Sequence, residues 1–167
     1  MKIDVRDNNL IVFLNKKMVS NVDFFNKSEL EDYFRSLFLK LNSDYDFDMS
    51  GSYSIDVFID KNYGVVLEIE KDDIDYFDYY DNVIDMKITI SKYSDFIYKL
   101  EGNIGNLFEF CDIYLFNGDI YVDPVNIDFL NLGFLIENSE IIYGKKCLDI
   151  RHSSKKICDY IKVDKIL

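Results

Sequence analysis

Leu30, Tyr33, Phe34, Leu37, Phe38 and Leu41 fall at i, i+3, i+4, i+7, i+8 and i+11. That spacing makes one continuous apolar face of a helix. Ser28 and Glu31 have the spacing of a capping box at its start. Glu29 and Asp32 in the first turn and Lys40 in the last suit the helix dipole. Asn42-Ser43-Asp44 closes the element. A helix with a single oily face has to lie on something flat and apolar. The segments on either side of it meet that need.

Ile3-Asp4-Val5 and Leu10 to Leu14 flank Asp7-Asn8-Asn9, which reads as a tight hairpin. After the helix, Gly51 opens a second pair of strands. Ile55, Val57 and Ile59 alternate with Asp56 and Phe58, as a half-buried strand does. Asp60 to Gly64 turns the chain into Val65, Leu67 and Ile69. Further on, Met86 to Ile90 alternates again, and Phe96 to Leu100 suits a strand or a short helix. Asn117-Gly118 between Asp112–Phe116 and Asp119–Val122 is the strongest hairpin signal in the chain, because a type I′ turn needs positive φ at both central residues. Asn126 is a candidate cap for a helix through about Glu137, with Ile127, Leu130 and Phe134 on one face. Ile141 to Tyr143 and Ile157 to Val163 look strand-like. The fold class expected is α+β: antiparallel sheets built from hairpins, with one helix packed per half.

Between the halves lies Asp72-Asp73-Ile74-Asp75-Tyr76-Phe77-Asp78-Tyr79-Tyr80-Asp81. The expected division is residues 1–71, a strand-strand-helix-strand-strand unit; 72–83, an acidic, aromatic joint; and 84–167, a second strand-rich unit with a helix and a basic tail. Asp72, Asp73, Asp75, Tyr76, Asp78, Tyr79 and Asp81 are the candidate protein-binding residues. Tyr supplies contact area and Asp steers basic partners. The alternative is structural, with Ile74 and Phe77 packed inward and the aspartates in water. The chain has no Ala, Gln or Trp, so Tyr and Phe also stand in for other apolar residues, and aromatic content by itself marks no surface.

The net charge of the 167 residues is −12, which argues against a phosphate backbone as partner. It is unevenly spread: residues 1–83 carry 18 acids and 9 bases, whereas 145–167 carry 3 acids and 7 bases. That basic end either docks on the acidic body or forms a contact surface of its own. No apolar run reaches membrane-spanning length. Charge interrupts the first residues, unlike a secretion signal. Cys111, Cys147 and Cys158 are too few and scattered for a disulfide framework. A cytoplasmic setting is expected.

Chemistry is hard to find. Every histidine-based mechanism would have to use His152. The Cys147, His152 and Cys158 spacing fits no common zinc pattern. Buried thiols and a solvent-facing imidazole are expected instead. Gly102 to Asn106 lacks the lysine and third glycine of a phosphate loop. Asp44, Asp46 and Asp48 lack the glycine and distal Glu of a calcium loop. No catalytic residue, metal or cofactor is assigned.

The order of elements resembles the MecA family, bacterial adaptors for a Clp-type ATPase chaperone. In the first half this rests on the Met1–Leu14 hairpin, the Glu29–Leu41 helix, Phe47 and Gly51, and Tyr63-Gly64-Val65-Val66-Leu67-Glu68-Ile69. In the second it rests on Asp95-Phe96, Ile113-Tyr114-Leu115-Phe116-Asn117-Gly118, Tyr121 and the helix that follows. The resemblance spans residues 1 to about 138. It departs in its short linker, 71–83 at most, and in the basic tail from Ser139. It implies a first half that binds a client protein and a second that docks on the ATPase, with no catalysis by this chain. A homodimer is left open. The rival reading is an acidic, DNA-mimicking inhibitor of a nucleic-acid enzyme.

Overall fold

A computed structural model of the chain turns the alternation at Leu10–Leu14 and Val65–Ile69 into the middle of a five-stranded sheet. The structure describes residues 1–6, 9–45, 51–72, 84–91, 94–102 and 109–158. The chain divides into two units, Met1–Tyr93 and Ser94–Leu167. In the first, β1 (Lys2–Arg6), β2 (Asn9–Asn15), α1 (Lys27–Tyr45), β3 (Gly51–Asp60), β4 (Gly64–Lys71) and β5 (Ile84–Ser91) follow in sequence. Their order in the sheet is β1-β2-β4-β3-β5.

Leu30, Phe34, Leu37, Phe38 and Leu41 of α1 are buried as the spacing requires. They share one core with Leu10, Val12 and Leu14 of β2, Tyr53, Ile55 and Val57 of β3, and Val65, Leu67 and Ile69 of β4. Phe38 meets Tyr53 edge-on, with ring centroids 5.3 Å apart. The helix begins earlier than the expected capping box. The Asn26 side chain, not that of Ser28, accepts from the Glu29 amide at 3.4 Å. Glu29 in turn accepts from the Asp23 amide at 3.3 Å. Asn is as good a cap as Ser, and the carboxylate that reaches back is Glu29 rather than Glu31.

Gly64 marks the tightest point of this unit. Its φ is +144°, and a Cβ there would collide with the Leu14 carbonyl oxygen and lie 2.9 Å from the Asn15 Cα. Next to it, the Asp60 carboxylate accepts from the amides of Asn62 at 2.8 Å and Tyr63 at 3.0 Å, which forms the turn from β3 into β4.

The expected division into halves needs correction. Residues 84–91 do not open the second unit. They form β5, which pairs parallel with β3 along Gly51↔Ile84 to Phe58↔Ser91, and Arg35 of α1 donates to the Ile84 carbonyl at 2.9 Å. Hydrophobic alternation marks a strand but not the sheet it joins, which is why the sequence did not reveal this. Residues 72–83 therefore connect two strands of one sheet. They leave β4 where Lys71 faces Tyr53 and return where Ile84 faces Gly51, a gap of about 10 Å across one intervening strand.

The second unit contains β6 (Ile97–Leu100), β7 (Cys111–Phe116), β8 (Asp119–Pro124), α2 (Phe129–Glu137), β9 (Ser139–Ile142), α3 (Gly144–Ser153) and β10 (Lys155–Cys158). The sheet order is β10-β7-β8-β6-β9, and every pairing in it is antiparallel. Asn117 (φ 52°) and Gly118 (φ 86°) form the hairpin turn. The cap of α2 is Asp128 rather than Asn126: its carboxylate accepts from the Asn131 amide at 2.9 Å. Ser139, buried, donates to the Leu135 carbonyl at 2.6 Å and ties α2 to β9. Among its described residues the unit has two helices rather than one. α3 went unseen in the sequence because Cys147 and Ile150 are its buried residues, a stripe too narrow to read as a period, and Gly, His and Ser are poor helix formers. It covers a cluster of Ile97, Tyr121 and Ile142. Among the described residues, no helix is long and apolar enough to cross a membrane.

The α+β class holds, and the two sheets share more than class. β1-β2-β4-β3 and β7-β8-β6-β9 have the same strand order and directions. In each, a hairpin is followed by a helix (α1 or α2) that carries the chain to a strand two places away, and an antiparallel strand fills the gap. In the first unit the gap-filling strand comes last, as β4. In the second it comes first, as β6. The units are circular permutations of one topology, each with one added strand on opposite edges, β5 and β10.

Gly64→Ala is expected to cost about 3 kcal/mol or more of folding free energy, since neither the backbone angle nor the space accepts a side chain. A urea titration would measure it, and a loss below about 1 kcal/mol would show that β2 and β4 are not packed as described.

Candidate functional site

Of the acidic, aromatic candidates, Asp72 lies among the described residues. Its amide donates to the Ser52 carbonyl at 3.0 Å, and its carboxylate accepts from the Ser52 hydroxyl at 3.2 Å. Both bonds fasten it to the start of β3, so its carboxylate is engaged within the sheet. Asp73, Asp75, Tyr76, Asp78, Tyr79 and Asp81 lie outside the described residues, as do Ile74 and Phe77.

His152 is exposed in the last turn of α3, while Cys111 and Cys147 are buried and free. Burial, and then the nearby Asp123 and Asp112 carboxylates, push the Cys111 thiol from 9.0 up to about 12. It is therefore fully protonated near neutral pH and a poor nucleophile. Among the described residues, no group of three or more His, Cys, Asp or Glu side chains is placed to hold a metal ion.

The polar chemistry that does converge lies on one side of the second sheet. By strand pairing, Asp112 and Tyr114 of β7, Asp119, Tyr121 and Asp123 of β8, and Lys99 of β6 share that side. Arg151 of α3 bridges two carboxylates: its guanidinium lies 2.7 Å from Asp95 and 2.7 Å from Asp123. It also donates to the Phe96 carbonyl at 3.3 Å. Lys156 of β10 pairs with Asp112 at 2.9 Å and lies 5.8 Å above the Tyr114 ring. Lys99 pairs with Asp119 at 2.7 Å. Each carboxylate in this group is held by a base, Asp95 and Asp123 sharing Arg151, which suits fastening better than acid–base chemistry. Arg151 and Lys156 thereby dock part of the basic end on acids of its own unit. Sequence reading placed the charge imbalance but not these partners, which lie up to 56 residues apart.

The apolar surface is elsewhere. The expected buried face of the second-half helix was Ile127, Leu130 and Phe134. The structure turns α2 the other way. Leu132, Leu135 and Ile136 are buried, whereas Leu130 is 82% exposed, Phe129 59% and Phe134 45%. The element is apolar nearly all round, so periodicity could not choose the inward side. Val125, just before it, is also exposed. A helix of this kind is ordinarily enclosed, and clustered large apolar side chains in water mark interaction sites. This surface was missed because Leu130 and Phe134 were expected on the inward face, and Phe129 and Val125 carried no expectation.

Neither a model of a known family, nor a curated protein, nor a solved structure matches the chain.

Two measurements test the thiol and the ion pairs. The folded value of Cys111 lies above its unfolded one. Its stabilising contribution is therefore complete below about pH 9 and is lost as pH rises toward 12. In a Cys158→Ser variant, Cys111 and Cys147 are expected to react with a disulfide reagent at pH 8 no faster than the protein unfolds; rapid labelling would contradict their burial. Arg151→Met is expected to cost about 1–3 kcal/mol, because Asp123 keeps its charge in a partly enclosed position. Thermal unfolding would read this, and an unchanged midpoint would mean the pair contributes nothing.

Proposed function

We propose that this protein is a non-enzymatic, cytoplasmic adaptor that binds client proteins and presents them to a Clp-type ATPase. The observation that carries the reading is the exposed apolar face of α2. Burying Phe129, Leu130 and Phe134 against a partner would release water from large apolar side chains, each worth about 1.5–3 kcal/mol when fully enclosed. Catalysis is not needed for such a role. Tethering raises a client's local concentration beside the ATPase, and that is enough to direct its unfolding.

Three further features support the reading. The first is the MecA-like sequence pattern. The second is the construction of the chain from two sheet-and-helix units of one topology, which suits a molecule with two things to hold. The third is the state of the acids around Arg151 and Lys156, which are matched by bases within the unit. A mimic of DNA would present unpaired carboxylates in rows, so this pairing favours protein docking over charge mimicry.

The test is a pull-down of a purified Clp-type ATPase on the immobilised full chain. Retention at micromolar concentration is expected, and His152→Ala should not alter it. No complex at that concentration removes the chaperone-specific reading.

A further inference from the structure

We propose that the exposed face of α2 is the docking site for an amphipathic helix of a partner protein, apolar along one stripe and basic at its flanks. The inference rests on the protein-binding reading above and specifies the partner's chemistry.

Shape argues for a helix. Gly133 lies on the exposed side of α2, one turn from Phe129 and Leu130 and next to Phe134. A Cβ there would meet nothing within 4 Å. The surface over Gly133 is therefore open, with no side chain standing between those of Phe129, Leu130 and Phe134, and a gap in the row of side chains is where a residue of a second helix can seat. An extended segment would need backbone partners, and the backbone groups within α2 are already used by the helix itself.

Charge argues for basic flanks. From Val125 to Gly144 there is no Lys or Arg. Asp128 and Glu137 stand exposed at the two ends of α2. A partner with Lys or Arg beyond each end of its apolar stripe would complement both. The same arrangement argues against a second copy of this chain. Two α2 helices packed antiparallel about a two-fold axis would set Asp128 of each beside Glu137 of the other. The two chains, each at −12, would also repel at longer range.

The probe is a synthetic helical peptide with Leu at i, i+3, i+4 and i+7 and Lys at its other exposed positions, beside a matched peptide with Glu in place of Lys. Each is titrated against the isotopically labelled full chain and followed by NMR shifts. The Lys peptide is expected to bind with micromolar affinity and to shift residues of α2. The Glu peptide should bind at least tenfold more weakly, with the gap narrowing as salt rises. Leu130→Ser and Gly133→Leu should each weaken the Lys peptide at least fivefold. Gly133→Ala should raise the melting temperature while weakening the peptide, a split that a merely structural glycine would not produce.

Binding unchanged by Leu130→Ser, or shifts centred away from α2, would overturn the proposal. So would a dimer in sedimentation that Leu130→Ser dissolves, since a second copy would then own the face. If the peptide docks on α2 but no Clp-type ATPase is captured, the docking site stands and the chaperone reading falls. If the ATPase is captured equally well by Leu130→Ser and the peptide does not bind, the adaptor reading stands and this site falls.

Discussion

Leu30, Phe34, Leu37, Phe38 and Leu41 leave water only because β2, β4 and β3 turn their Leu, Val, Ile and Tyr side chains to the same side. The first unit follows from that need. An oily helix face must be covered along its length, and alternating strands present the matching flat surface. Because the helix joins β2 to β3, which run in the same direction, it has to cross the sheet rather than turn back. The place left between those two strands is filled by β4, whose Val65, Leu67 and Ile69 complete the floor. Gly64 lets the turn into β4 pass against the backbone of Leu14 and Asn15, which sets the register of the central strands.

The second unit solves the same problem with less apolar material and more charge. One side of its sheet carries Asp112, Asp119 and Asp123 among the aromatic rings of Tyr114 and Tyr121. A helix laid on such a side must bring its own compensation, and α3 does so with Arg151, as β10 does with Lys156. Partly enclosed pairs of this kind contribute little net stability. Their effect is to select which segment may sit there, since an apolar helix would strand the acids. The overall charge of −12 therefore misdescribes this region, where acids and bases are matched locally.

How much could be read from the residues depended on how many independent signals agreed. α1 has a strong period and a cap signal, and its existence was plain while both ends shifted: Asn26 takes the role expected of Ser28, and the helix runs through Asn42-Ser43-Asp44 to Tyr45, which leaves Lys40 short of the last turn. Asn117-Gly118 was legible because two consecutive positive φ angles leave few other choices. β5 was legible as a strand and misplaced in the fold, since nothing in eight alternating residues says which neighbour they will pair with. α2 was legible as a helix and turned inside out. Leu130 and Phe134 have the same spacing as Leu132 and Ile136, and only tertiary packing distinguishes them. The candidate surface lay in that ambiguity, whereas the acidic stretch that stood out by composition became a connection within one sheet.

The permuted order of the two units has a consequence for how each is built as the chain emerges from synthesis. In the first, β2 and β3 are made before the strand that will separate them. They wait, joined by α1, until β4 arrives to bond with both at once, and the gap between them closes in a single step before β5 adds to the edge. In the second, β6 is made first and has neither neighbour. Its pairing with β8 must await the hairpin, and that with β9 (Ile97↔Ile142) must await α2. Contacts so distant in sequence form slowly, and an unpaired strand is exposed meanwhile. One topology, entered at two different points, gives one unit that locks shut when its central strand arrives and another that carries an open edge through much of its assembly.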